Sequence, residues 1–93
     1  MALNELQKQV QGYDRKFGWV GDKPDSIVLH MQEELGEISR NMLKQKGYKK
    51  GYDKDEMNDE ITDLLYLTVK LGNLLDIELD EGWGRIGKRY NKK

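Results

Sequence analysis

Cysteine is absent from this chain, and proline occurs once in its 93 residues. Without thiols there is no disulfide framework and no thiolate metal site. With a single proline and few β-branched runs, little stops helix from running through most of the sequence. Long apolar runs are missing as well: no stretch approaches the roughly 20 residues that a membrane span needs. The opening MALNELQKQ has neither the basic head nor the apolar run of a secretory leader. An excess of one charge is also missing, with Lys+Arg 16 against Asp+Glu 17. General nucleic-acid binders show a clear basic surplus, so that class is set aside. These absences point to a cytoplasmic protein, soluble, that binds neither membrane nor nucleic acid.

Hydrophobic residues make up 37% of the chain and charged residues 35%, which leaves one copy a thin core. Chains this short bury only about 60% of their unfolded surface, and association with further copies is a common remedy. A single domain over residues 1–93 that self-associates is therefore expected.

Apolar spacings of three and four mark the helices. Leu3, Leu6, Val10, Tyr13 and Phe17 place the first helix over roughly Leu3 to Phe17. It ends in FGWVGDKPDS, where Gly18, Gly21 and Pro24 break the period, and Asp25 or Ser26 offers an oxygen to cap the next helix. That second helix should run from about Ser26 to Gln45. The lysine- and tyrosine-rich KQKGYKKGYDKDE follows as a loop. A third helix starts near Asp53 to Asp55 and continues to about Leu75. A fourth begins near Asp80, interrupted by Gly82, Gly84 and Gly87, and the tail KRYNKK is expected to fray.

Helical phasing at about 100° per residue then sorts the charges. On the second helix Ile27, Val28, Met31, Leu35, Ile38 and Met42 share one arc, and His30, Glu34, Glu37 and Asn41 form a row beside it. Glu33 and Arg40 fall further round, towards solvent. On the third, Glu60 lies inside the apolar arc on the row Glu60, Leu64, Leu67, Leu71, with Asp63 at its edge. Asp59 and Lys70 occupy the opposite, polar side, and Asn73, well round from Asp63, is left unassigned. A buried carboxylate is normally paired or bound to a metal. If the two helices pack antiparallel, Glu34, Glu37, Glu60 and Asp63 converge as a hard, oxygen-only cluster suited to Mg²⁺ or Mn²⁺. The plain alternative is that these are solvated helical acids, common in so charged a chain.

The pattern EELGE, Glu33 to Glu37, followed after 22 residues by EITD, Glu60 to Asp63, resembles the motif of the all-α MazG-like nucleoside triphosphate pyrophosphohydrolases. The likeness extends to the run DLLYLTVKLGNLLDIELDE and to an aromatic-containing first helix and loop. It implies cleavage of a nucleoside triphosphate, often a deoxynucleotide, between its α and β phosphates. It implies an antiparallel bundle of four helices, or three plus a short one, assembled as a homodimer or a tetramer of paired dimers. Under it, Glu34, Glu37, Glu60 and Asp63 would hold Mg²⁺. Glu33, phased apart from them, could be a ligand, an orienter of water or an outer-shell group. Bound metal would make chemical sense, because bare carboxylates repel a triphosphate and a divalent cation reverses the sign of the site.

Further residues are candidates for substrate contact. His30 could touch substrate or a ligand's outer shell, or simply pack. It is the only histidine, so the paired Glu-x-x-His motifs of a ferritin-like di-iron site are excluded. Lys44, Lys46, Lys49 and Lys50, with Tyr48 and Tyr52, could meet phosphates or remain a solvated loop. Relatives use aromatics in the region of Phe17 and Trp19 to stack on the base. Arg85, Lys88 and Arg89 could reach phosphates in the same chain or a neighbouring one. The reading is a Mg²⁺-dependent nucleoside triphosphate pyrophosphohydrolase that serves to clean nucleotide pools. Its alternatives are the related phosphoribosyl-ATP pyrophosphohydrolase and a non-catalytic helical regulator that keeps only the fold.

Overall fold

A computed structural model describes residues 2–91. They form four helices: α1 Leu3–Phe17, α2 Pro24–Gln45, α3 Lys54–Leu74 and α4 Leu79–Asn91. Helix α3 is the centre of the molecule, packed against α2 on one side and α1 on the other, and α4 returns to rest on α1. Paired residues run in opposite order along both interfaces. Between α2 and α3, Asn41 meets Glu60 while Ile27, His30 and Glu34 share a cleft with Asp63, Leu67 and Lys70; Gln7 meets Asn73 while Asp14 meets Tyr66 between α1 and α3. Both pairings are therefore antiparallel, and the fold is all-α.

The helix ends follow from local chemistry. The Asp53 carboxylate accepts hydrogen bonds from the backbone N–H of Asp55 and Glu56, which caps α3. At α2 the expected cap at Asp25 or Ser26 is replaced by an earlier start. Pro24 occupies the first turn, where its fixed φ suits a helix and its missing N–H costs nothing, and Lys23 is the cap without a side-chain bond. Helix α1 stops at Gly18, whose φ of 76° lets its N–H reach Arg15 O while the Trp19 N–H reaches Asp14 O. Helix α3 stops the same way at Asp76, with φ 57°, its N–H and that of Ile77 turning back to Asn73 O and Gly72 O.

Two expectations about the C-terminal part are corrected. Helix α4 is continuous through Gly82, Gly84 and Gly87 to Asn91, although each internal glycine costs up to about 1 kcal/mol relative to alanine. Tertiary anchoring of its first turn offsets that. Leu79 donates its N–H to Gln7 Oε1, and Asp80 accepts from the N–H groups of Leu3 and Asn4. Leu79 also lies against Gly72, where a Cβ would meet its side chain at 3.3 Å. Of the tail expected to fray, Lys88 to Asn91 are helical, and Lys92 and Lys93 lie outside the described residues.

The core of one chain is thin. Its buried apolar residues are Val10, Ile27, Met57, Leu67 and Val69. The arcs read from the sequence are only half covered: on α2 Ile27 is buried while Val28, Leu35 and Met42 are exposed, and on α3 Ile61 and Leu65 are exposed. Polar groups take up part of the interior instead, with Gln7, Asp14, Asn41 and Lys70 all buried. Lys70 overturns its assignment to a solvent-facing side, because α3 sits between two helices and has no wholly solvated back. Among the described residues no helix is long and apolar enough to cross a membrane.

Candidate active site

A cleft of about 790 Å³ opens where α1, its following loop, α2 and α3 meet. Its walls bring together Phe17, Trp19, Tyr13 and Tyr66 at one end and His30, Glu34 and Asp63 at the other. Volumes of this order accommodate small molecules of nucleotide size.

The carboxylate end comes from the facing rows of α2 and α3. Glu34, Glu37 and Glu60 are half-buried, Asp63 is exposed at the cleft wall, and Glu33 is exposed. Glu34 has one carboxylate oxygen buried without a hydrogen-bond partner, and so has the Asn41 amide. Burial raises the Glu34 pKa above its ordinary 4.5, reinforced by the charges of Glu37, Asp63 and Glu60. His30, 3.4 Å away one turn earlier, acts in the opposite direction. Glu60 is engaged by the Asn41 amide, which donates to its carboxylate across the α2–α3 interface.

This donor set suits a hard divalent cation. It is all oxygen, its negative charges crowd one another, and a buried carboxylate oxygen in it lacks a partner. Among the described residues no three acidic or imidazole groups already stand as a finished coordination shell. Glu34, Glu37, Glu60 and Asp63 are the side chains that would hold such an ion.

The aromatic end is built on a polar network. Tyr66 donates its hydroxyl proton to Asp14 Oδ1 at 2.7 Å. Burial and that carboxylate hold the phenol protonated far above its ordinary range. Lys70, only 4% exposed, donates to Trp19 O at 3.0 Å and to Asp22 Oδ2 at 2.6 Å, with Asp14 Oδ1 at 3.4 Å. Above this network the Trp19 ring lies 5.0 Å from Phe17 and edge-on to Tyr66 at 6.5 Å.

Of the residues singled out in the sequence, Phe17, Trp19, His30, Glu34 and Asp63 thus share one cleft. Arg85 and Lys88 do not join it. They line a second groove of about 920 Å³ with Leu3, Leu65, Trp83 and Ile86. Lys44 and Lys46 sit at the C-terminal end of α2, outside the lining of either groove. Sequence reasoning missed Tyr66, Lys70, Asp14 and Asp22. Tyr66 had a usable signal, standing three residues after Asp63 and so on the same helix face. The other three meet only in the folded chain.

A sequence profile described as phosphoribosyl-ATP pyrophosphohydrolase matches residues 4–90. The chain belongs to that pyrophosphohydrolase family, within the MazG-like all-α superfamily. It is 32% identical over 95 residues to the uncharacterized protein YpjD of Bacillus subtilis (strain 168), covering 99% of this chain and 86% of the relative. The crystal structure of Bacillus subtilis YpjD, a protein for which pyrophosphatase activity is itself a proposal, superposes with a TM-score of 0.82. The identity there is 31%, over 98% of this chain and 96% of the other. Family and structural neighbour together support a hydrolase acting on phosphoanhydrides.

Proposed function

We propose that this chain is a Mg²⁺-dependent nucleoside triphosphate pyrophosphohydrolase that converts (d)NTP to (d)NMP and pyrophosphate and removes unwanted nucleotides from the pool. One observation carries the reading: a single cleft joins an aromatic wall to two carboxylate-bearing helix faces. A nucleotide has the same two-part chemistry, a flat base at one end and a polyanion at the other. Aromatic faces stack on any base, and the acidic end suits phosphates only with a cation between them.

In this reading Glu34, Glu37, Glu60 and Asp63 hold Mg²⁺, with Mn²⁺ as a substitute. When bound, the metal neutralises phosphate charge and makes water a better nucleophile. Phe17 and Trp19 flank the base. His30, 3.4 Å from Glu34, keeps that carboxylate oriented. Glu33 remains the candidate to accept a proton from water or to act from outside the ligand set. One water is consumed for each α–β anhydride broken.

We also propose that the working unit is a homodimer or a pair of dimers. A compact chain of this length has a radius of gyration of about 12 Å, whereas this one has 15.8 Å and extends 44 × 41 × 24 Å. The rows of exposed Val28, Leu35, Met42, Ile61 and Leu65 are the surfaces a second copy would cover. Arg85 and Lys88 would reach phosphate only from such a copy.

The deciding experiment is pyrophosphate release from a panel of NTPs, dNTPs and phosphoribosyl-ATP, with Mg²⁺, with Mn²⁺ and with EDTA. Folded Glu34→Gln and Glu60→Gln variants run alongside. Metal-dependent release with monophosphate as co-product, lost in both variants, is expected. A preference for phosphoribosyl-ATP would move the assignment to the reaction for which the matching profile is named. No release from any substrate by a folded protein would leave a non-catalytic regulator.

A further inference from the structure

We propose that Lys70 is a positioning residue for the nucleobase, acting through Trp19, a role that rests on the nucleotide reading above. Its ammonium group clasps the loop between α1 and α2 to α3. It thereby sets where the Trp19 ring stands in the cleft.

Three oxygens surround this ammonium group: it donates to Trp19 O at 3.0 Å and to Asp22 Oδ2 at 2.6 Å, and pairs with the Asp14 carboxylate at 3.4 Å. Two of them belong to the loop and the third to α1. The backbone of Trp19 is consequently held on both sides of its Cα. Its N–H is bonded to Asp14 O at 2.7 Å as part of the α1 terminus, and its C=O is held by Lys70. Asp14 doubles as the acceptor for Tyr66, whose ring supports the Trp19 edge. Tyr66 and Lys70 thus tie α3 to the aromatic wall.

The rest of the loop needs such a clasp. Trp19, Val20, Gly21, Asp22 and Lys23 are all exposed and form no regular structure. The one ring among them, Trp19, meets Phe17 and Tyr66. A stacking surface lowers the cost of binding when it is already in place. Lys70 lines the cleft, yet its charge is paired with the carboxylates of Asp14 and Asp22, so it orders the base-facing wall and is not spare charge for a phosphate.

Trp19 and Trp83 are the only tryptophans, so a Trp83→Phe background makes Trp19 the single fluorophore. In that background Lys70→Met and Lys70→Arg are compared for Trp19 emission, acrylamide quenching, KM, kcat and inhibition by inorganic tripolyphosphate. Folding is checked by circular dichroism. Lys70→Met should shift Trp19 emission to the red and increase quenching. Its KM for the best nucleotide should rise about tenfold, the scale of a lost base–aromatic stack. Its kcat and the tripolyphosphate inhibition should stay near the parent's, and Lys70→Arg should recover part of the KM. Asp22→Ala removes one arm of the clasp at a half-exposed site, and should move emission and KM in the same direction if Lys70→Met does not fold.

Unchanged emission and KM in folded variants overturn the proposal. So does a fall in kcat together with weaker tripolyphosphate inhibition, which places Lys70 at the phosphates. If the parent hydrolyses no nucleotide, the enzymatic reading fails by itself. Trp19 emission and quenching still report whether the clasp exists.

Discussion

Asn41 and Glu60 join α2 to α3 through a hydrogen bond from the asparagine amide to the glutamate carboxylate. Asn41 is 2% exposed, and its own carbonyl oxygen has no hydrogen-bond partner. The pair ties the α2 row of carboxylates to the α3 row.

Replacing that donor by an acid reverses the interaction. Asn41→Asp should destabilise the fold by about 1–3 kcal/mol in EDTA, the cost of leaving a buried acceptor unpaired beside a like charge. Mg²⁺ should return much of the loss, since an added carboxylate next to Glu60 is another hard ligand. Urea denaturation with and without Mg²⁺ measures both. Equal curves in the two conditions would mean that no cation binds between these rows.

Glu34 predicts a pH dependence of known sign. Its pKa is raised in the folded chain, first by burial and then by Glu37, Asp63 and Glu60. The folded state therefore holds the proton more tightly than the unfolded state does. Stability is unimpaired below the ordinary value of 4.5, declines as pH rises towards the folded-state pKa, and stays reduced above it. Without divalent cations, Glu34→Gln should be more stable than the parent at neutral pH, and the gap should close near pH 4. A variant less stable than the parent at neutral pH in EDTA contradicts the assignment.

Asp80 supplies the cap that α1 lacks. Ala2 precedes that helix and has no side chain to offer, while the Asp80 carboxylate accepts from Leu3 N at 2.7 Å and Asn4 N at 3.1 Å. Asp80→Ala should cost about 1 kcal/mol, or about 4–8 °C in Tm for a domain of this size. Calorimetry tests this, and an unchanged Tm would show the cap to be idle. Asp80→Asn should retain part of the effect.

Self-association has a simple probe in Leu35, which is 54% exposed on the uncovered side of α2. Leu35→Lys should leave one chain's interior untouched, yet lower the mass seen by analytical ultracentrifugation to that of a monomer. The unaltered chain should sediment as a dimer or larger. Identical sedimentation of the two proteins would remove this face from the interface.

Much of the fold was legible because helices are local objects. The spacing of Leu3, Leu6, Val10, Tyr13 and Phe17 placed α1 at its observed ends, and α3 begins one residue after Asp53. The burial pattern was less legible. Phasing assigns each helix one apolar face, but α3 is flanked on two sides and buries Lys70 on the side read as polar. The apolar arc of α2 was real as a pattern, yet in one chain Leu35 and Met42 remain uncovered while the Glu34–Asn41 row faces α3.

By itself, the sequence determined four helices, their approximate ends and the spacing that sets Glu34 with Glu37 and Glu60 with Asp63. Each of these depends on neighbours three or four positions away, within reach of helical periodicity. Only the tertiary structure decided that Trp19 shares a cleft with Glu34 and Asp63, that Lys70 holds its peptide, and that Asp80 caps α1. The Lys70–Trp19 bond spans 51 positions and the Asp80–Leu3 bond 77. Separations that long are set by how whole helices pack, and no local period encodes them.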